Sequence, residues 1–237
     1  MIGIISDIHG NHEALKAVLE YLEQSQVNSI VCLGDVAGYY CQINECCETL
    51  QKLSIPTLMG NHDYYLTSGE GCPRSNSANQ CLEHQRQIIE ADNYHWLSSL
   101  PDKMDWHGIS MRHGGWHDPL DEYMVPSKEY FANFSGQFFS SGHTHVPVLW
   151  NSGNIFYCNP GSVGQPRDGD CKASFAIYCR GKFTLHRVAY DYKKVQMQMK
   201  KAGFPSYFYT NLASGSRIGG KIDSIDSLAA SVSHAIC

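Results

Sequence analysis

The sequence predicts an α/β fold on three observations. Apolar runs of strand length alternate with helix-period segments through the first 60 residues, each such run ends in a turn bearing Gly, Asp or His, and no internal repeat or low-complexity tract interrupts the pattern. With 237 residues, 43% of them hydrophobic, the chain can bury a sizeable core, and one domain is expected rather than two small ones.

Residues 2–6 read as a short buried strand, and Asn11 as the N-cap of a helix that carries Leu15, Val18, Leu19 and Leu22 at helical spacing. Residues 29–33 make a second apolar run before Gly34, residues 41–53 a second helix, and residues 56–59 a third strand before Gly60. This βαβαβ order requires parallel strands. Residues 64–79, with Gly69, Gly71, Pro73 and several Ser and Asn, read as a surface loop, and long loops in compact domains commonly serve sites. Helices are expected at 81–91 and 93–100, and short strands at 104–106, 109–112, 137–141, 146–150, 155–158, 174–179 and 183–188. From Asn211 the chain is rich in Ser and Gly before a weak helical pattern at 225–235.

Composition excludes several functions. Net charge is −5 and no run of Lys or Arg forms a basic stripe, so a nucleic-acid polymer is not an expected partner. No segment approaches the apolar length of a bilayer crossing, and the first residues carry no basic, signal-like region, so no membrane partner and a cytoplasmic location are expected. The ten cysteines form no CxxC pair, and reduced thiols packed in the core are expected, Cys46 and Cys47 included.

The chemistry is concentrated at strand ends. Asp7 and His9 lie two apart, so in extended backbone they share one face. Gly34-Asp35 and Gly60-Asn61-His62-Asp63 close the next two strands, and open α/β sheets gather binding groups at their carboxyl ends, so these residues should converge. Arg112-His113-Gly114-Gly115 and Gly142-His143-Thr144-His145 end two later strands. Taken alone, each motif is an ordinary turn; together they exceed the needs of one metal ion. Carboxylate, amide and imidazole donors suit Mn, Fe, Co, Ni or Zn better than Mg or Ca, and the lack of a Cys donor argues against structural zinc.

In order and spacing, these five motifs resemble those of calcineurin-like metallophosphoesterases, and Asn159-Pro160-Gly161-Ser162-Val163-Gly164 is similar to a segment of the small bacterial branch. The resemblance runs from residue 4 to about 190. It implies a four-layer α-β-β-α sandwich of two packed mixed β-sheets flanked by helices, in one domain over residues 1–237 with a helical tail at 191–237. It implies two divalent transition-metal ions, Mn or Fe first, with Asp7, His9 and His145 on one, Asn61, His113 and His143 on the other, and Asp35 bridging them. His62 resembles the non-ligand catalytic histidine, with Asp63 orienting it through the other ring nitrogen. Arg167 is a candidate to fork onto a non-reacting phosphate, against the plain reading of a solvated loop arginine. Tyr39, Tyr40, Tyr64, Tyr65 and Trp116 could form a stacking wall, although aromatics at strand ends usually pack, and His117 is the one further histidine placed near a motif.

The acidic-arginine continuation of protein Ser/Thr phosphatases is missing, since Gly34-Asp35 runs into Val36-Ala37-Gly38-Tyr39. The implied substrate is therefore a phosphodiester or dinucleoside polyphosphate, with a phosphomonoesterase or protein phosphatase as alternative. A non-catalytic assembly scaffold is the alternative of another class, and the complete catalytic set weighs against it.

Overall fold

β1 (Ile2–Ile5) is apolar along its whole length because both of its faces are covered. In the computed structural model, which describes residues 1–229, Ile2 and Ile4 pack with Val31, Leu33, Leu58, Ile109 and Met111, while Ile5 packs on the other side against Leu15, Val18 and Leu22. The first set joins two sheets and the second joins a sheet to helices, so the period-2 alternation of one strand fixes three layers.

The remaining elements follow as α1 (His12–Gln24), β2 (Ser29–Cys32), α2 (Ile43–Lys52), α3 (Asn61–Ser68), α4 (Asn76–Ile88), α5 (Ala91–Ser98), β3 (Lys103–Trp106) and β4 (Ile109–Arg112). Then come the single-turn α6 (Lys128–Phe131), β5 (Phe138–Ser140), β6 (Val148–Ser152), β7 (Ile155–Asn159), β8 (Ala173–Cys179), β9 (Lys182–Val188) and α7 (Tyr192–Lys201). One sheet has the order β2-β1-β8-β9, parallel between β1 and β2 and antiparallel elsewhere. The other has the order β3-β4-β5-β7-β6, parallel at its centre and antiparallel at both edges. The two mixed sheets are flanked by helices, and on the outer face of the second sheet the covering layer is thin: Phe131 of α6 packs against Phe139, Trp150 and Tyr157. At the other end of the chain, Val195 and Met199 of α7 are fully buried in the core that holds α1.

Local signals account for most boundaries. The Asn11 side chain accepts from Ala14 N at 3.1 Å and starts α1 as expected. Two expectations are corrected. Residues 56–59 form no ladder: Thr57 makes a single parallel bridge to Cys32, Pro56 has no N–H to donate, and Met59 N turns to Pro101 O at 2.7 Å. Residues 64–79 are not one loop, since α3 runs to Ser68 and α4 starts at Asn76 with Ser75 as its cap. The short α6 was not foreseen. Residues 225–229 are helical, and the rest of the helical pattern expected at 225–235 lies outside the described residues. All nine cysteines among the described residues are free, and no helix there is long and apolar enough to cross a membrane.

Candidate functional site

The turns at the carboxyl ends of both sheets carry the expected site residues, and they do so in an unusual backbone conformation. Asp7, His9, Asp35, His143 and His145 have φ of 56°, 54°, 55°, 65° and 60°, in the left-handed region that non-glycine residues seldom occupy. Each such residue costs about 1–3 kcal/mol, which the surrounding core must offset. This corrects the extended geometry expected for Asp7 and His9: beyond β1 the chain coils, and the coil rather than the strand aims both side chains inward. Close packing completes the arrangement, because a Cβ on Gly60 would collide with Asp35 Oδ1 and one on Gly142 with Ser6 Oγ.

Two overlapping clusters result. Donor atoms of Asp7, His9, Asp35 and His145 all lie within 4.8 Å of one another, as do those of Asp35, His113 and His143. Asp35 Oδ2 lies 3.5 Å from His9 Nε2 and 3.4 Å from His113 Nε2, between the two groups. Asn61 Oδ1 lies 3.1 Å from His113 Nε2 and 2.9 Å from His143 Nδ1, which places it in the second cluster. All seven residues are buried.

The chemistry of this donor set fits cations. His9, His113 and His145 each donate Nδ1–H to a backbone carbonyl, of Ala37, Leu33 and Gln165 respectively, at 2.6–2.9 Å. Because a carbonyl can only accept, each neutral ring keeps a lone pair on Nε2, facing inward. Inside the clusters Asp7 Oδ1, Asp35 Oδ2 and His143 Nε2 are buried with no hydrogen-bond partner. Orphaned buried acceptors are costly, and a metal ion is the partner that satisfies several at once.

The electrostatics agree. Burial pushes His9, His143 and His145 well below the usual imidazole range, which keeps them in the neutral, metal-binding form. Burial also lifts the Asp7 carboxyl to about 7. Burial opposes charge on His113 too, but the adjacent Asp35 carboxylate outweighs it and raises that imidazole to about 9. Asp35 itself is held low, since His113 and His62 overcome its desolvation.

His62 is buried beside this centre, its ring 4.9 Å from that of His9 and its Nδ1 without a partner. The expected Asp63–His62 pairing is absent. The Asp63 carboxylate instead accepts from the backbone amides of Asp35, Ala37 and Gly60 at 2.8–2.9 Å, because at the third position of α3 it folds back over the helix start. Asp63 is thus a clamp between two site loops. Burial and the nearby Asp35 raise its carboxyl to about 7.

A cavity of about 760 Å³ opens above the centre and is lined by Asp35, Asn61, His62, His143 and His145. Arg167 reaches it as a buried side chain, not as a solvated loop arginine: it donates to Gln165 Oε1 and Tyr39 Oη, and its guanidinium lies 5.5 Å from the Tyr39 ring centre. Of the aromatics singled out, Tyr39 alone lines the cavity; Tyr40 and Trp116 pack internally, Tyr64 points to Glu70, and Tyr65 donates to Asp121. His117 packs on Tyr130 and Phe134 and, unlike Tyr130, is not itself part of the lining. Sequence reasoning missed Arg74 and Asp121, an ion pair on the cavity wall, and Tyr123, whose ring lies 4.4 Å from that of His143. These residues belong to no motif, and only the long-range fold brings them together.

Two mixed sheets packed face to face, with buried Asp and His side chains meeting at their carboxyl ends, define a metal-dependent phosphoesterase. Residues 1–180 match the model of the calcineurin-like phosphoesterase superfamily domain, and the chain belongs to that superfamily. It is 33% identical over 238 residues to an uncharacterized protein of Methanocaldococcus jannaschii, covering 91% of this chain and 98% of the relative. It is 25% identical over 178 residues to the phosphodiesterase YfcE of Escherichia coli, covering 70% of this chain and 80% of that one. The crystal structure of a metallophosphoesterase from Sphaerobacter thermophilus, 33% identical, matches with a TM-score of 0.80 over 90% of this chain and 99% of the other.

Proposed function

We propose that the chain hydrolyses phosphodiesters or the anhydride bonds of dinucleoside polyphosphates, with two divalent transition-metal ions, Mn or Fe first. Asp7, His9 and His145 would hold one ion, Asn61, His113 and His143 the other, and Asp35 both. The observation that carries this reading is the unpartnered Asp35 Oδ2 midway between His9 Nε2 and His113 Nε2. When bound, the ions supply Lewis acidity to the phosphoryl oxygens and a water made nucleophilic at neutral pH. A similarity to a phosphodiesterase, and the absence of the protein-phosphatase continuation after Asp35, support the substrate class.

The chain's own residues orient and complete the reaction. Arg167, buried and fixed by Gln165 and Tyr39, presents a planar guanidinium to a phosphate of the substrate that does not react. As the bond from phosphorus to the leaving oxygen breaks, the His62 imidazole hands that oxygen a proton or stabilises its charge. No side chain bonds covalently to phosphorus. The cavity accepts a small ester or nucleotide.

Two measurements test the reading. Elemental analysis of Mn- or Fe-supplemented protein should give close to two ions per chain, and Asp35→Asn should lower that number. The loaded protein should cleave bis(p-nitrophenyl) phosphate or a dinucleoside polyphosphate well and phosphoserine peptides poorly. Efficient phosphopeptide turnover without diester or anhydride cleavage would sink the substrate class.

A further inference from the structure

The superfamily match ends at residue 180, yet the lining of the active-site cavity continues into the C-terminal segment with Arg217, Ile218, Lys221, Asp223 and Leu228. We propose that the turn at 217–221 forms a subsite for a second, non-reacting phosphate of the substrate, outside the bond that is cut. This deepens the phosphodiester reading and rests on it for the reaction, though not for binding.

The turn is a built feature. Arg217 N donates to Lys221 O and Gly220 N to Arg217 O, both at 2.8 Å, and Gly219 and Gly220 adopt φ of 94° and 89°, which side-chain-bearing residues resist. It is tied to the loop that carries Arg167: Asp223 N donates to Arg167 O at 2.7 Å, and Gly169 N to Gly215 O at 2.9 Å. The cations of the turn thereby share a cavity wall with Arg167, the arginine proposed for a non-reacting phosphate.

Charge balance selects the ligand. Arg217 Nε lies 2.5 Å from Asp223 Oδ2 and Lys221 Nζ 4.0 Å from Oδ1 of the same buried carboxylate. One carboxylate cannot neutralise two cations. Arg167 has no ion-paired carboxylate among the described residues. Arg74, by contrast, is committed to Asp121 and adds no free charge. At this part of the wall Arg167, Arg217 and Lys221 meet the single carboxylate of Asp223, while the other lining carboxylates are engaged elsewhere: Asp121 with Arg74, Glu122 with Tyr130 and the amides of His117 and Asp118, and Asp35 in the donor clusters. A terminal phosphate on the substrate offers two charges and several acceptor oxygens to match.

The test compares ligands differing only in that phosphate, on the full-length, Mn-loaded protein. Calorimetry with thymidine 3′,5′-bisphosphate and thymidine 5′-monophosphate should show the bisphosphate binding about tenfold or more tightly, as charge-assisted hydrogen bonds imply. Lys221→Gln alters a side chain that is 69% exposed, so folding is not at stake. It should shrink that ratio, and Arg217→Gln with Lys221→Gln should bring it near one. The p-nitrophenyl ester of thymidine 5′-phosphate, with and without a 3′-phosphate, should show the same preference in KM. Equal affinity for the two nucleotides, or a ratio that survives the double substitution, overturns the subsite. A preserved binding ratio with neither ester hydrolysed supports the subsite and sinks the diesterase reading instead.

Discussion

His9 and His145 face each other Nε2 to Nε2 at 3.0 Å, while each gives its Nδ1 proton to a backbone carbonyl. Two lone pairs are thus pressed together among buried groups, with the unpartnered Asp7 Oδ1 3.3 Å from His145 Nε2. Left-handed backbone at both histidines holds the pair in place. The fold has organised a set of inward-facing acceptors that a cation would satisfy.

The first prediction follows from that arrangement. A cation that the native clusters hold more tightly than the unfolded chain does, with Mn²⁺ as the proposed one, should at about 100 times its Kd add up to ~2.7 kcal/mol of stability. Thermal unfolding across a Mn²⁺ titration should show a rising Tm that EDTA reverses. A Tm indifferent to both would mean that the clustered donors do not hold metal.

The second prediction separates Asp63 from the chemistry. Its carboxylate is the acceptor for three buried amides, and each donor left unsatisfied costs about 1–3 kcal/mol. Asp63→Ala should therefore lower stability by roughly 3 kcal/mol or more in urea denaturation. Asp63→Asn, which keeps one acceptor oxygen, should lose less. An Asp63→Ala protein with wild-type stability but crippled turnover would restore Asp63 as the partner of His62 and remove its role as a clamp.

Legibility in the sequence followed the physics of each feature. β1, β2 and α1 were readable because an apolar run or an apolar stripe is a direct image of burial on two faces or one. α3 was misread because its buried residues include Asn61, His62 and Asp63, polar groups that leave no apolar stripe. The site residues were legible as motifs, since turns at parallel strand ends gather them whatever lies between. How they are aimed was not legible: left-handed backbone at Asp7 and His9 depends on neighbours such as Gly142 and Gly164, more than 130 positions away. The cavity wall was silent for the same reason, because Arg74, Tyr123 and Lys221 meet only through tertiary structure.

The third prediction concerns His62, whose backbone and side chain do different things. Its main-chain N–H donates to Asp35 Oδ1 at 2.8 Å, and any residue at that position keeps this bond. Its ring is absent from both donor clusters and borders the cavity instead. His62→Ala should therefore leave metal content at the wild-type value while removing the group proposed to meet the leaving oxygen. General acid catalysis supplies about 10²- to 10⁴-fold, so kcat should fall by that order for an alkoxide leaving group. A nitrophenolate departs with little help, so for p-nitrophenyl esters the loss should be much smaller. Metal analysis beside kcat for the two leaving-group types decides the matter. A stripped metal would make His62 a ligand, and an equal defect for good and poor leaving groups would make it a residue that positions substrate.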